Sequence, residues 1–385
     1  MGRFRDALAA PGLQAIAEVK RRSPSAGDLR PGADPATIAP AYEHAGAAAV
    51  SVLVDERFAG TWADLRAARA ATRVPLLAKG FFSTSDDVRT AAEAGADAVL
   101  LLLRDLDDAT CARLMREAAG YGLDAFVEVH DAGELARAIA LGADPVGINA
   151  RDLGTFEIDR PRQLELVAAA PADRVLVAES GISNRAQGTA AELAGADAIL
   201  VGSALMRAPD PAERLAEILA RPLVKVCGLT READVALAAE AGADLAGFVL
   251  APSSPRRAER VLPVPDSMLS VAVLVGEAVE AGSDLVQLYP ELDGHRGRDA
   301  TLLRNGTPVA TVVDLPWLGE DEEHWARASA VEGRVMLAGG LDADTVRAAI
   351  ERVRPWAVDG ARGTESAPGV KDPDRLRRFV EAARD

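Results

Sequence analysis

A chain of 385 residues is too long for one ordinary domain and suits two, and its 49% hydrophobic content is enough for two buried cores. A net charge of −16 argues against nucleic acid or an anionic membrane as a partner, but it leaves small anionic substrates open, since those need only local N–H groups and a few Lys or Arg. With two cysteines, Cys111 and Cys227, no membrane-length apolar run and no signal-like h-region at the start, the expected setting is a reducing cytoplasm.

Along the chain a helix-ending Gly followed at once by an apolar strand recurs, at Gly46, Gly95, Gly142, Gly195, Gly242 and Gly282, mostly as Gly-Ala-Asp. Gly takes the left-handed position that stops a helix, and a short loop feeds the next strand. Strands apolar on both faces, alternating with Ala-rich helices, predict a parallel sheet covered by helices. In the first half they fall near Ile16–Lys20, Val50–Val54, Leu76–Lys79, Ala98–Leu103, Ala125–Val129, Val146–Asn149, Val175–Glu179 and Ala198–Val201. Eight such units in about 210 residues is the count of a (β/α)8 barrel. The alternative, an open doubly wound sheet, lacks its Gly-rich fingerprint at the first turn.

A helix predicted over Pro211–Ala220 ends this unit, Pro222 follows, and a new strand starts, which sets domains at 1–221 and 222–385. The second half shows seven strands, at Leu223–Cys227, Leu245–Ala251, Ser270–Val275, Leu285–Tyr289, Val309–Asp314, Val335–Ala338 and Trp356–Asp359. The span Gly276 to Gly282 holds barely two helical turns. The expected fold is therefore α/β, two fused (β/α)8 TIM barrels, the second shortened or irregular.

Active sites of such barrels lie where strands end and βα loops begin. In the first barrel those positions hold Glu18, Lys20, Asp55, Lys79, Glu128, Asn149, Arg151 and Glu179. Lysines and glutamates converging on one mouth form an acid–base constellation. Lys79 and Glu128 end otherwise apolar strands, where unpaired charge is costly; Asp55 reads equally well as a solvated loop charge. The loops after strands seven and eight, with Ser180-Gly181 and Gly202-Ser203, pair as an anion cradle, although either alone reads as a tight turn.

The segments Glu18-Val-Lys-Arg-Arg-Ser-Pro-Ser, Leu77-Ala-Lys-Gly-Phe, Glu128-Val-His, Gly147-Ile-Asn-Ala-Arg-Asp-Leu, Glu179-Ser-Gly-Ile and Gly202-Ser-Ala-Leu-Met resemble the ordered motifs of indole-3-glycerol-phosphate synthases, over about residues 14–207. That resemblance implies closure of an indole ring from carboxyphenylamino-deoxyribulose 5-phosphate with loss of CO₂ and water. It makes Lys79 the general acid at the sugar carbonyl and Glu128 the general base. Lys20 would contact the substrate carboxylate; Glu18, Asn149 and Glu179 would orient lysines and hydroxyls. Arg151 would hold the ring carboxylate, and Ser23, Ser180, Gly181, Gly202 and Ser203 the phosphate. In two places the chain departs from the pattern. Gly80 stands where the family has Asp, and little precedes Glu18, so the site is expected either to close less fully or to take its cover from another segment.

Leu223-Val-Lys-Val-Cys-Gly-Leu-Thr, Gly247-Phe-Val-Leu-Ala-Pro-Ser-Ser-Pro-Arg, Leu337-Ala-Gly-Gly-Leu and Glu365-Ser-Ala-Pro-Gly-Val-Lys-Asp resemble phosphoribosylanthranilate isomerases, which are often fused to the synthase. The resemblance implies an Amadori isomerisation of N-(5-phosphoribosyl)anthranilate, with Cys227 as base and its thiolate favoured by its surroundings. Arg256 and Asp359 would bind substrate, and Gly339, Gly340 and Gly363 the phosphate. The general acid is Asp314, with Trp325 following, if the missing strand lies between Tyr289 and Val309; if Val309–Asp314 is strand five instead, the acid is absent. Tyr289 replaces the family's His, and the loop after Asp314 and the segment Ala361–Thr364 also differ. An active isomerase, a decayed structural barrel and a binder of a related phosphosugar remain open for this half. A Schiff-base aldolase using Lys79 is the rival for the first. The resemblance implies small phosphorylated anthranilate-sugar substrates; ring closure that needs only proton delivery and removal calls for no cofactor and no metal, and a monomer is expected.

Overall fold

The structure, a computed structural model, describes residues 2–24, 26–152, 154–292, 295–296, 298–314 and 322–385. The chain forms two compact units, Met1–Leu219 and Ala220–Asp385. Among the described residues no helix is long and apolar enough to cross a membrane.

In the first unit eight parallel strands close a barrel: β1 Gln14–Val19, β2 Ala49–Leu53, β3 Leu76–Lys79, β4 Ala98–Leu102, β5 Asp124–Val129, β6 Val146–Asn149, β7 Leu176–Glu179 and β8 Ala198–Val201. Closure comes from the β1–β8 pairing, with Gln14 opposite Ala198 and Ala17 opposite Val201. The open-sheet alternative is thereby excluded. Helices between the strands start at Asp, Thr or Asn caps; Thr61 with Asp64, and Thr84 with Asp87, form reciprocal capping boxes.

The recurrent Gly-Ala-Asp does two jobs. The six repeat glycines all take positive φ, between 63° and 114°. Most of the aspartates staple neighbouring strands: Asp97 accepts from the Leu76 N–H at 2.8 Å, Asp197 from Leu176 at 2.9 Å and Asp144 from Val175 at 2.9 Å. Asp244 and Asp284 repeat the device in the second unit, on Val224 at 2.7 Å and Ser270 at 2.8 Å. Each satisfies a strand-end donor that would otherwise lie unpaired at the floor of the barrel.

The barrel interior is filled by Ile16, Leu77, Leu100, Phe126, Val177 and Leu200, with Phe4 and Leu8 in the same cluster. Those two come from the helix Arg3–Leu8, whose first N–H groups are received by Asp124 at 3.0 Å. This helix packs on the ends of the strands where Asp124 lies, away from the ends that carry Lys79 and Glu128. Residues 3–8 therefore supply no cover for the mouth.

The second unit also closes with eight strands: β9 Leu223–Cys227, β10 Leu245–Val249, β11 Leu269–Val275, β12 Leu285–Tyr289, β13 Ala300–Arg304, β14 Thr307–Asp314, β15 Val335–Ala338 and β16 Ala357–Gly360. The eighth strand, unseen in the sequence, is β13. It runs antiparallel to both β12 and β14. Asn305 and Gly306, with φ of 48° and 78°, turn the chain from Arg304 to Thr307, the favoured two-residue hairpin geometry. No helix precedes Gly282, which follows an irregular run from Gly276. The helices described in this unit are Glu232–Glu240, Glu322–Ser329, Val346–Val353 and Pro373–Arg384. Segment 315–321, and the side chain of Trp325, lie outside the described residues.

Candidate active sites

Inward-facing ends of β1, β3, β5, β6 and β7 bring five polar side chains to one place in the first barrel. Lys79 Nζ lies 2.7 Å from Glu179, 3.5 Å from Glu18 and 3.9 Å from Glu128. Lys20 pairs with Glu18 at 2.5 Å, and Asn149 donates to Glu128 Oε1 at 2.8 Å. The three carboxylates are buried, each under 4% exposed, so their charge is compensated within the cluster or not at all.

Burial works against the Lys79 ammonium, but Glu179, Glu18 and Glu128 outweigh it and hold its pKa well above the ordinary lysine value. Burial likewise raises Glu18, yet Lys20 and Lys79 bring it below the usual carboxylate range. Glu128 follows the same pattern, with His130, Lys79 and Asn149 opposing burial and prevailing. Glu179 goes the other way: burial and the nearby Glu128 push it up despite Lys79. Environment therefore separates two neighbouring glutamates, one held ionised and one inclined to keep a proton.

Above the cluster opens a cavity of about 610 Å³, within the range of small-molecule sites. Glu18, Lys20, Lys79, Glu128, Asn149 and Arg151 line it, together with Ser23, Ser180, Gly181, Gly202 and Ser203. The first-barrel residues to which the resemblance gives a role, except Glu179, which sits behind Lys79, thus border one space. Two of the glycines have a steric reason. A Cβ on Gly202 would sit 2.3 Å from Glu18 Oε1, and one on Gly181 would sit 2.7 Å from Ile158. Asp55 stands apart: it caps a short turn and is committed to Arg57 at 2.8 Å.

The mouth holds residues to which the sequence reading gave no role. Phe58 and Phe81 stack at 6.4 Å, and the Arg57 guanidinium lies 3.6 Å over the Phe81 ring. Phe156 and Ile158 add two exposed apolar side chains, 42% and 43% exposed. An aromatic two residues after Lys79 was the available signal for Phe81. The departure at Gly80 also has a local cause. A side chain there would meet Phe82 at 2.9 Å and Val54 at 3.3 Å, and Phe82 is held by stacking on Trp62.

In the second barrel Cys227 ends β9 and Asp314 ends β14, the sixth strand around the sheet. A hydrogen-bonded chain crosses the interior: Lys225 Nζ reaches Asp359 at 2.7 Å and Gln287 at 2.8 Å. Gln287 then donates to the Tyr289 hydroxyl at 2.8 Å, which donates to Asp314 at 3.0 Å. Tyr289, at the position where the family has His, thus reaches Asp314. Cys227 departs from expectation. Burial, with Asp359 adding to it, pushes the thiol up, and Lys225 and Lys371 do not reverse this. Arg256 Nε is engaged by both oxygens of Glu365 at 2.9 Å. Gly339 and Gly340 follow β15 with φ of 96° and 76°. A Cβ on Gly363 would sit 2.4 Å from the Leu341 carbonyl, so that position admits no side chain. Asp359 is buried with one oxygen lacking a partner and the other on Lys225.

The family model "Indole-3-glycerol phosphate synthase" matches residues 2–218, and "N-(5'phosphoribosyl)anthranilate (PRA) isomerase" matches 321–382. An indole-3-glycerol phosphate synthase of Nocardioides sp. is 51% identical over 52% of this chain and 78% of its own. A multifunctional tryptophan biosynthesis protein of Phycomyces blakesleeanus is 31% identical over 96% of this chain and 62% of its own. A TrpF crystal structure from Jonesia denitrificans aligns at 27% identity with 43% of this chain and 97% of its own, TM-score 0.34. The chain belongs to the indole-3-glycerol phosphate synthase family and carries, fused to that barrel, a phosphoribosylanthranilate isomerase domain.

Proposed function

We propose that the first barrel, within boundaries of 1–221, closes the indole ring with Lys79 as general acid and Glu128 as general base. The observation that carries this reading is the Lys79–Glu128 pair, 3.9 Å apart at the floor of the cavity. Lys79 is held protonated by the glutamates around it, so it can deliver a proton to the sugar carbonyl as the aromatic ring attacks. Glu128, held ionised, can then take the proton that leaves carbon as the indole forms. Arg151 and Lys20 stand ready for the ring carboxylate, and the amides near Ser180, Gly181, Gly202 and Ser203, with Ser23, for the phosphate. A Schiff base is disfavoured, because an amine nucleophile needs its pKa lowered and Lys79 has it raised. Lys79→Ala is expected to reduce synthase kcat by about 10²–10⁴-fold. A steady-state rate near wild type would remove Lys79 from this role.

We further propose that the second barrel, 222–385, isomerises phosphoribosylanthranilate, with Cys227 as base and Asp314 as acid; Arg256, Asp359 and the loops at Gly339, Gly340 and Gly363 hold substrate. Its support is the placement of Cys227 and Asp314 at like-directed ends of β9 and β14 in a closed barrel. Two observations favour the alternative of a monofunctional synthase with a decayed second barrel: Arg256 is tied to Glu365, and the Cys227 thiol is pushed up. Isomerase assay of the intact chain separates the two. Activity abolished by Cys227→Ala, with synthase turnover unchanged, supports the bifunctional reading; no activity in the wild type supports the alternative. Two free, buried cysteines fit a reducing compartment, and we place the enzyme in the cytoplasm as a monomer acting on small phosphorylated substrates, without nucleic acid or membrane.

A further inference from the structure

We infer that His130 feeds protons to the synthase site from behind its base, acting through Glu128. The inference rests on the roles given above to Lys79 and Glu128. The reaction itself creates the need. The ring carboxylate leaves as CO₂, and its bonding pair stays to restore the aromatic ring. The sugar oxygen leaves as water, so it gains two protons. One proton comes off the CH₂ carbon, whose C–H pair becomes the new double bond. The balance is one proton consumed per turnover, and it comes from solvent.

With substrate filling the mouth, Lys79 and Glu128 are cut off from water on the cavity side, and Glu128 is 2% exposed. On its other side stands His130. Nε2 lies 3.2 Å from Glu128 Oε1, the same oxygen that accepts from Asn149. Nε2 makes no hydrogen bond in this geometry, so this is a close ion pair, and transfer requires the ring to turn its Nε2–H onto that oxygen. Nδ1 lies 3.1 Å from Glu134 Oε2, and the same oxygen receives the His130 backbone N–H at 2.8 Å. The His130 and Glu134 side chains are 13% and 15% exposed, against 2% for Glu128. The groups facing the ring are Glu128 on its own strand and Glu134 on the following helix, Ala132–Ala140; Lys79 and Asn149 meet Glu128 beyond it.

The path runs from solvent to the His130–Glu134 pair and on to Glu128 Oε1; the protonated carboxyl then turns that same proton toward Lys79, whose amine takes it once side-chain motion closes the 3.9 Å gap. Each step makes one N–H or O–H bond and breaks one, and the imidazolium regains its proton from water. Burial lowers the His130 pKa, but Glu128 and then Glu134 more than offset this and raise it to about 8, so the ring is charged at neutral pH.

His130→Gln keeps a polar side chain that cannot carry a proton. We expect synthase kcat to fall by about tenfold or more, with KM within about twofold and the alkaline limb of the kcat–pH profile displaced. In His130→Ala, added imidazole is expected to restore rate in proportion to its protonated fraction, whereas Lys79→Ala is not rescued. A His130→Gln enzyme with wild-type kcat and pH profile overturns the inference. So does a loss equal at every pH with no imidazole rescue, which marks a packing role. If Lys79→Ala and Glu128→Gln also keep full activity, the failure lies with the underlying assignment of acid and base.

Discussion

At the level of single residues, burial decides chemistry. Glu128 and Glu179 end neighbouring parts of one barrel wall, yet one is held ionised and the other pushed toward its acid form. The roles followed from the resemblance; the separation did not, because it depends on distances across the barrel that no local sequence window contains. His130 was visible as part of Glu128-Val-His, but its partner Glu134 is defined only once the following helix folds back. The raised His130 pKa also links to stability. A folded value of about 8 against 6.5 unfolded stabilises the native state below pH 6.5, and that stabilisation is lost as pH rises through 8. The shift corresponds to about 2 kcal/mol. Urea unfolding at pH 6 and pH 9 is expected to show this difference in wild type and to lose it in His130→Gln; equal pH dependence in the two would contradict it.

At the level of elements, the helix–strand alternation of the first barrel was legible because its punctuation repeats. The glycines mark helix ends, and the aspartates after them pin strand ends, so Gly-Ala-Asp is a structural signature of the barrel floor. Strand β13 escaped detection for a physical reason. Its outward positions carry Thr301 and Leu303, half-buried, and no helical pattern flanks it, so it lacks the doubly apolar signature of its neighbours. The overlooked signal was Asn305-Gly306 between two runs of apolar and Thr residues. That turn makes a specific demand: Gly306→Val places a β-branched residue at φ of 78°. The cost is expected to be on the order of 1–2 kcal/mol. It should appear as earlier loss of isomerase than of synthase activity on heating. Parallel loss of both activities would show that the turn does not limit the second unit.

At the level of the whole molecule, two barrels were legible from length and repeat, and the closed sheets of eight strands agree. The asymmetry between them was only partly legible. The first unit keeps its acid–base cluster under an open cavity, while the second ties Arg256 to Glu365 and carries its polar groups in a chain from Asp359 to Asp314. Sequence could place Cys227 at the end of a strand; it could not show that burial outweighs the two nearby lysines.

The reversed strand β13 has a consequence in parity. Strands β14 to β16 point the right way only because the chain turns back twice, once before β13 and once after it. Restoring a single crossover helix on one side alone would invert the three strands that follow and carry Asp314 to the opposite rim. The shortening is therefore available only as a pair of connections, removed or restored together. A designer lengthening this barrel must insert two helical crossovers at once, and one lengthening the first barrel's loops faces no such rule.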